Sequence, residues 1–258
     1  MKIGRFEYDG RVFHGRIDGC KVTEITGDIF GDYQLSSKTH SIDRLRVLAP
    51  VAPPNIICIG LNYRSHAAES QMKLPERPVV FIKLTTAVTS HNAGIILPRE
   101  SDEVDYEAEL CAVIGKTAKD LEERDALKYV FGYTCGNDVS ARDCQLKFDQ
   151  QWARGKSFDG FCPMGPWVET EMDPADTRVE GLLNGVVMQS SSTANMIFSV
   201  AELVSYCSKN FTLLPGTIIM TGTPEGVGYA RKPPVYLKKG DVFEVRISGV
   251  GSLANTFL

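Results

Sequence analysis

Along the first fifty residues, apolar and polar positions alternate in short runs, Gly4–Tyr8, Arg11–Ile17 and Cys20–Ile25, separated by Asp9-Gly10 and Asp18-Gly19. Alternation with period two places every second side chain on one face of a strand, and Asp-Gly supplies the backbone freedom of a tight hairpin turn. The pattern predicts a small β module. Ala49-Pro50-Val51-Ala52-Pro53-Pro54 is the densest proline run in the chain. It immediately precedes Asn55–Gly60, whose unbroken apolar character is that of a strand buried on both faces. The boundary is placed there, with an N-terminal β unit over 1–52 and a larger unit over 53–258.

In the larger unit, Asn62–Met72 is polar and Ala-rich, with His66 and Glu69 spaced to share one face of a helical turn. Val79–Leu84 and Val104–Gly115 have strand patterns, Asp120–Phe131 has helical composition, and Tyr129–Val139 returns to β-branched and aromatic residues. Ser140-Ala141-Arg142-Asp143 has the spacing of a capping box and predicts a helix running to about Ala153. Asn184-Gly185 between Val179–Leu183 and Val186–Gln189 predicts a hairpin. Ser199-Val200-Ala201-Glu202 predicts a capped helix ending near Asn210, and Thr217–Gly222 and Asp241–Ile247 read as strands. The order is strand-dominated with a few helices, an α+β class. It lacks the regular strand–helix alternation of a doubly wound sheet and shows no internal repeat.

Composition narrows the function more than the fold. The chain has 258 residues, 43% hydrophobic and 23% charged, in the range of ordinary globular proteins. A formal net charge of −4 supplies no basic excess for nucleic acid. Charges at Lys2, Arg5 and Glu7 interrupt any signal-peptide core, and no segment approaches a spanning helix of about 20 apolar residues, so no membrane role and a cytoplasmic location are expected. Seven scattered cysteines without a Cys-x-x-Cys pair read as reduced structural thiols. The four histidines have no metal-ligand spacing, so a metal site would rest on carboxylates.

The most informative segment is Asp105-Tyr106-Glu107-Ala108-Glu109-Leu110-Cys111-Ala112-Val113-Ile114. On a strand, Glu107 and Glu109 share a face that continues into the apolar Cys111 and Val113, so two carboxylates run toward the interior. A small hard cation with oxygen ligands offsets that charge better than a basic side chain does; the alternative is a solvated strand edge. Asp138, between a strand and the expected helix, is either an N-cap or a third oxygen ligand. His66 with Glu69 has the parts of a general base, or is surface decoration. Lys156 in Gly155-Lys156-Ser157-Phe158-Asp159 offers an ammonium to an oxyanion, or is solvated. The turn-rich Thr221–Gly228 loop has hydroxyls and free amides for a carboxylate. No phosphate loop or dinucleotide fingerprint is present, which excludes a nucleotide cofactor.

Taken in order, Ile59–Glu69, Asp105–Leu110, Gly132–Asp143, and the Lys156 and Thr223 loops resemble the fumarylacetoacetate hydrolase family, in its shorter form with one catalytic domain, over about residues 55–258. The resemblance implies a mixed β-roll and a homodimer. It implies Mg²⁺ or Mn²⁺ on Glu107, Glu109 and Asp138, a water-activating His66–Glu69 dyad on a lid, and Lys156 polarising a substrate oxygen. Thr223 would bind the substrate carboxylate, and Arg142 and Gln145 would face the substrate. Longer members supply a further aspartate from the segment that here reads Leu61-Asn62-Tyr63-Arg64-Ser65, so the metal would keep more open positions.

The expected activity is hydrolysis of a C–C bond in an acylpyruvate through a metal-stabilised enolate, with a small 2-oxo acid as substrate. The same intermediate serves isomerisation of a hydroxyheptadienedioate or decarboxylation of oxaloacetate. A different class, a non-catalytic ligand-binding protein in which the metal only holds structure, predicts that His66 and Glu69 face solvent.

Overall fold

The computed structural model describes residues 1–258. Its main sheet has twelve strands, ten of which run side by side in the order Tyr33–Ser41, Lys21–Gly27, Arg11–Asp18, Lys2–Tyr8, Cys162–Glu169, Val130–Asn137, Ala108–Ile114, Ile218–Met220, Ile56–Ile59 and Val80–Lys83. Neighbours on this path are antiparallel except Ile218–Met220 and Ile56–Ile59, which are parallel, so the sheet is mixed. A second sheet of five strands contains Val186–Ser192, Arg178–Leu183, Val242–Ile247, Gly251–Phe257 and the short Gly94–Ile95. The mainly β, α+β architecture expected from the periodicity is the one observed.

The N-terminal strands are the predicted meander, and their sheet continues across the proline-rich stretch. Lys2 and Ile3 pair with Glu169 and Val168, and Ile3, Ile25 and Ile29 share one buried cluster with Cys58, Cys111 and Met220. The hydrophobic cluster confined to the first fifty residues is small: Phe6, Phe13, Val22 and Leu45. Part of the apolar surface of this meander is therefore buried against the rest of the chain. The largest cluster lies between the two sheets, where Tyr106 stacks on Phe243 with ring centroids 4.5 Å apart.

Local signals held where nothing distant competed. Asn184 and Gly185 have φ of 51° and 82° between paired strands, as a tight hairpin requires. Ser199 and Glu202 form a reciprocal capping box at the start of helix Val200–Asn210.

Three expectations need correction. The helix expected from Ser140 to Ala153 is absent: Ser140 and Ala141 pair with Asp105 and Val104, and Asp143 caps a short π-helical turn, Cys144–Phe148. Helix returns only at Ala153–Lys156. The helix over Asp120–Phe131 shrinks to one turn, Glu123–Ala126, and a 3₁₀ turn, because Val130 already pairs with Ile114. The strand over Val104–Gly115 breaks at Tyr106-Glu107, where side-chain amides replace ladder partners: Asn137 Oδ1 accepts from Glu107 N and Gln189 Oε1 from Ala108 N, both at 2.9 Å.

Candidate active site

Three adjacent strands bring the acidic residues together. Glu107 precedes the Ala108–Ile114 strand, Asp138 follows Val130–Asn137, and the Ile218–Met220 strand leads to Gly222, whose N–H donates to Glu109 Oε2 at 2.8 Å. Glu107, Glu109 and Asp138 are all buried, with a ligand oxygen of each within 4.8 Å of the others. The N-cap alternative for Asp138 fails, because its carboxylate turns to two ammonium groups instead of to helix amides.

The cations are arranged around this set. Lys156 Nζ lies 2.8 Å from Glu107 Oε2 and 2.7 Å from Asp138 Oδ2. Arg142 Nη2 is 2.6 Å from Glu107 Oε1, and Arg142 Nη1 donates to Gln145 Oε1 at 3.0 Å. Burial tends to raise the Glu107 carboxyl, but Arg142 and Lys156 outweigh it and hold the group well below the ordinary carboxylate range. Burial likewise tends to lower Lys156, and Asp138 and Glu107 reverse this.

Sequence reasoning missed two members of the cluster. Lys83, at the end of its strand and buried, reaches Asp138 Oδ1 at 2.5 Å and Val139 O at 3.1 Å. Asp105, fully buried, accepts from Arg142 Nε at 2.9 Å, Tyr106 N at 2.8 Å, Gly228 N at 2.7 Å and Tyr229 N at 3.1 Å. Only contacts remote in sequence reveal either. Lys83 reads locally as a strand-end lysine, and Asp105 as a polar residue at the start of the expected Val104–Gly115 strand.

Charge counting then tests whether a metal fits. Four buried carboxylates, Asp105, Glu107, Glu109 and Asp138, face three buried cations, Lys83, Arg142 and Lys156. Glu109 is the carboxylate without a basic partner. Burial, with Asp138 and Glu107 beside it, pushes its carboxyl well above the usual range. A buried acid lacking a counter-charge, with two further carboxylates in reach, is a donor set that suits a hard divalent cation. Asn62, in the segment Leu61–Ser65 from which the resemblance implies no further acid, spends its side chain on Phe198 and Thr221 backbone and offers the set nothing.

The helical turn Arg64–Glu69 brings His66 to the same place. His66 is 6% exposed and its Nδ1 is 2.7 Å from Glu69 Oε1. Glu69 in turn accepts from Gly226 N, at 2.9 Å to Oε2. Ser65 bonds Glu225, and Ser70 Oγ lies 2.6 Å from Tyr229 Oη, so the 225–229 loop clamps this helix along its length. Tyr229 also lies under the Arg142 guanidinium, 4.4 Å from ring centroid to Cζ.

A cleft with about 80 Å³ of free space joins these groups, lined among others by His66, Glu107, Arg142, Gln145, Lys156 and Tyr229. Thr223 lies outside that lining. Its hydroxyl donates to Ala108 O at 3.0 Å and accepts from Gln189 at 2.8 Å. A larger hollow of about 380 Å³ lies by Pro54, Ile82 and Phe211; its one ionisable residue, Lys83, turns its ammonium to Asp138.

Gly226 is the weak point of the clamp. At φ 98°, a Cβ there would lie 2.1 Å from Met188 O. Gly226→Ala is expected to destabilise the protein by about 2 kcal/mol or more, several degrees in Tm, and to lower kcat by loosening Glu69. Thermal melts and steady-state kinetics would measure both effects; a variant matching wild type would show that the loop does not hold the dyad.

Known proteins resemble the chain in both sequence and structure. Residues 55–258 match the model described as fumarylacetoacetate (FAA) hydrolase, C-terminal, and residues 1–50 one described as Rv2993c-like, N-terminal. The chain is 50% identical over 234 residues to a fumarylacetoacetate hydrolase domain-containing protein 2 homolog of Dictyostelium discoideum, covering 86% of this chain and 77% of that one. It is 44% identical to the mitochondrial oxaloacetate tautomerase Fahd2a of Rattus norvegicus over 227 residues, covering 86% and 72%. A crystal structure of 2-hydroxyhepta-2,4-diene-1,7-dioate isomerase from Mycobacterium marinum superposes with a TM-score of 0.91 at 37% identity, covering 100% and 98%.

Proposed function

Because this chain belongs to the fumarylacetoacetate hydrolase family, a family of enzymes, we propose that it interconverts the keto and enol forms of a short 2-oxo acid with the help of Mg²⁺ or Mn²⁺. The observation that carries this reading is the His66–Glu69 pair opening on the same cleft as Glu107, Arg142 and Lys156. It also speaks against a purely structural metal site, which would leave His66 in solvent. The names of the rat relative and the mycobacterial structure, a tautomerase and an isomerase, favour proton relocation over bond cleavage.

Glu107, Glu109 and Asp138 would hold the ion, which when bound supplies Lewis acidity toward the carboxylate and 2-oxo oxygens of the substrate. With Nδ1 engaged by Glu69, His66 has Nε2 left to take a proton from the carbon next to the oxo group and return it. Lys156 and Arg142 place positive charge on the cleft wall, where enolate oxygen charge develops. Gln145, bonded to Arg142, fixes that guanidinium for the substrate.

A second reading, hydrolysis of acylpyruvates, rests on the same dyad taking its proton from water. Oxaloacetate and acetylpyruvate supplied with Mg²⁺ or Mn²⁺, with a chelator control, separate the two. Chelator-sensitive change in enol absorbance without pyruvate is the expected result. Pyruvate with acetate from acetylpyruvate would shift the assignment to hydrolysis, and pyruvate from oxaloacetate to decarboxylation. No acceleration over buffer would overturn all three.

A further inference from the structure

We propose that the cleft continues into an apolar subsite, walled by Met72, Phe81, Leu146 and Trp152, that takes a hydrocarbon tail on the far side of the substrate's enolisable carbon. The proposal rests on the 2-oxo acid reading above and deepens it. Among 2-oxo acids, those with an apolar substituent beyond the enolisable carbon are favoured over compact dicarboxylates.

The cleft changes character along its length. Arg142 and Lys156 are the cations that line it, and both are bonded to Glu107. Beyond Lys156 the wall becomes aromatic: its ammonium lies 5.0 Å from the Phe81 ring centroid, and Phe81 meets Trp152 edge-on at 5.4 Å. Gly60, also in the lining, packs against Trp152, where a Cβ would come within 3.2 Å of the indole.

On the other side, Leu146 follows Gln145 on the same π-helical turn, and Met72 follows the helix that carries His66. Met72 and Leu146 are 52% and 54% exposed. A single exposed Leu or Met needs no explanation, but two that line the cleft of the reacting groups, with an aromatic pair, form a surface for apolar contact. A second substrate carboxylate placed there would meet no free cation, since Lys156, beside Phe81, is already held by Glu107 and Asp138. Lys73, next to Met72, is exposed and outside the lining.

The test uses the metal-loaded full chain and one assay, keto–enol interconversion, with oxaloacetate and 2,4-dioxo acids bearing methyl, ethyl and butyl groups. We expect kcat/KM to rise about three- to fourfold for each methylene buried, leaving oxaloacetate at least tenfold below the butyl compound. In Leu146→Arg, at an exposed position that does not threaten folding, the gain with chain length should collapse and the relative rate on oxaloacetate should rise. A flat alkyl series with oxaloacetate preferred, the result if Lys73 swings in to supply a cation, overturns the subsite and leaves the enzymatic reading standing. No turnover of any member overturns the enzymatic reading and the subsite with it.

Discussion

His66→Ala is expected to lower kcat on 2-oxo acids by about 10²–10⁴-fold, the contribution of a positioned general base, while changing Tm by no more than a few degrees. The side chain lines the cleft instead of the core, and its hydrogen bond is to Glu69. Its loss therefore removes chemistry without leaving a large cavity in the packed interior. Glu69→Gln should cost less in kcat, since the amide still bonds the imidazole. Steady-state kinetics, alongside melts, would read both. A His66→Ala protein with wild-type kcat would remove the imidazole from the reaction.

Glu109→Gln should abolish metal dependence and make the metal-free protein more stable. In the absence of an ion, burial and the neighbouring Asp138 and Glu107 hold the Glu109 proton on above its ordinary value of 4.5. The folded state thus binds that proton more tightly than the unfolded chain does. The stability of the metal-free protein therefore falls as pH rises past about 4.5, until the folded group ionises. Metal requires the ionised carboxylate and releases the proton, so stabilisation by Mg²⁺ or Mn²⁺ should grow with pH. At a hundred times Kd it is worth about 2.7 kcal/mol, or about 5–10 °C for a chain of this size.

The glutamine variant should lose that metal-induced shift and melt a few degrees above metal-free wild type at pH 8. Its kcat should fall by more than the roughly 10–100-fold that disturbing an outer-sphere partner of a metal typically costs. Calorimetry with and without chelator at pH 6 and pH 8 gives the comparison. Equal metal response in the two proteins would place the ion elsewhere.

The parts of this site that could be read from the chain are those whose signal is local. Glu107 and Glu109 stand out because acids interrupt a run that is otherwise apolar, and Asp138 because it follows a buried strand. His66 and Glu69 stand out through helical spacing. Lys83 and Asp105 carry no such mark: their partners lie 55, 37 and 123 residues away.

The same limit explains the misread helix at Ser140. Its capping-box spacing is real, but Arg142 N bonds Glu103 O and the guanidinium is drawn between Asp105 and Glu107, so tertiary pairing overrides the local preference. Thr223 lies in a loop whose hydroxyls and free amides suggest a carboxylate site, and the resemblance implies that it binds the substrate carboxylate. It is the amides of that loop, at Gly222, Gly226 and Gly228, that reach the carboxylates, while the hydroxyl ties the loop to Ala108.

That loop has a consequence for how the scaffold can change. Between Gly222 and Tyr229, the backbone amides of Gly222, Gly226, Gly228 and Tyr229 seat Glu109, Glu69 and Asp105, which belong in turn to the proposed metal set, the proposed base and the guanidinium anchor. Adding or deleting one residue would shift the chain by about 3.3 Å and mis-seat several of them together. Insertions and deletions are therefore shut out of this stretch. New substrate preferences must arise by point replacement at the rim, where Met72 and Leu146 can be exchanged without retuning the catalytic machinery.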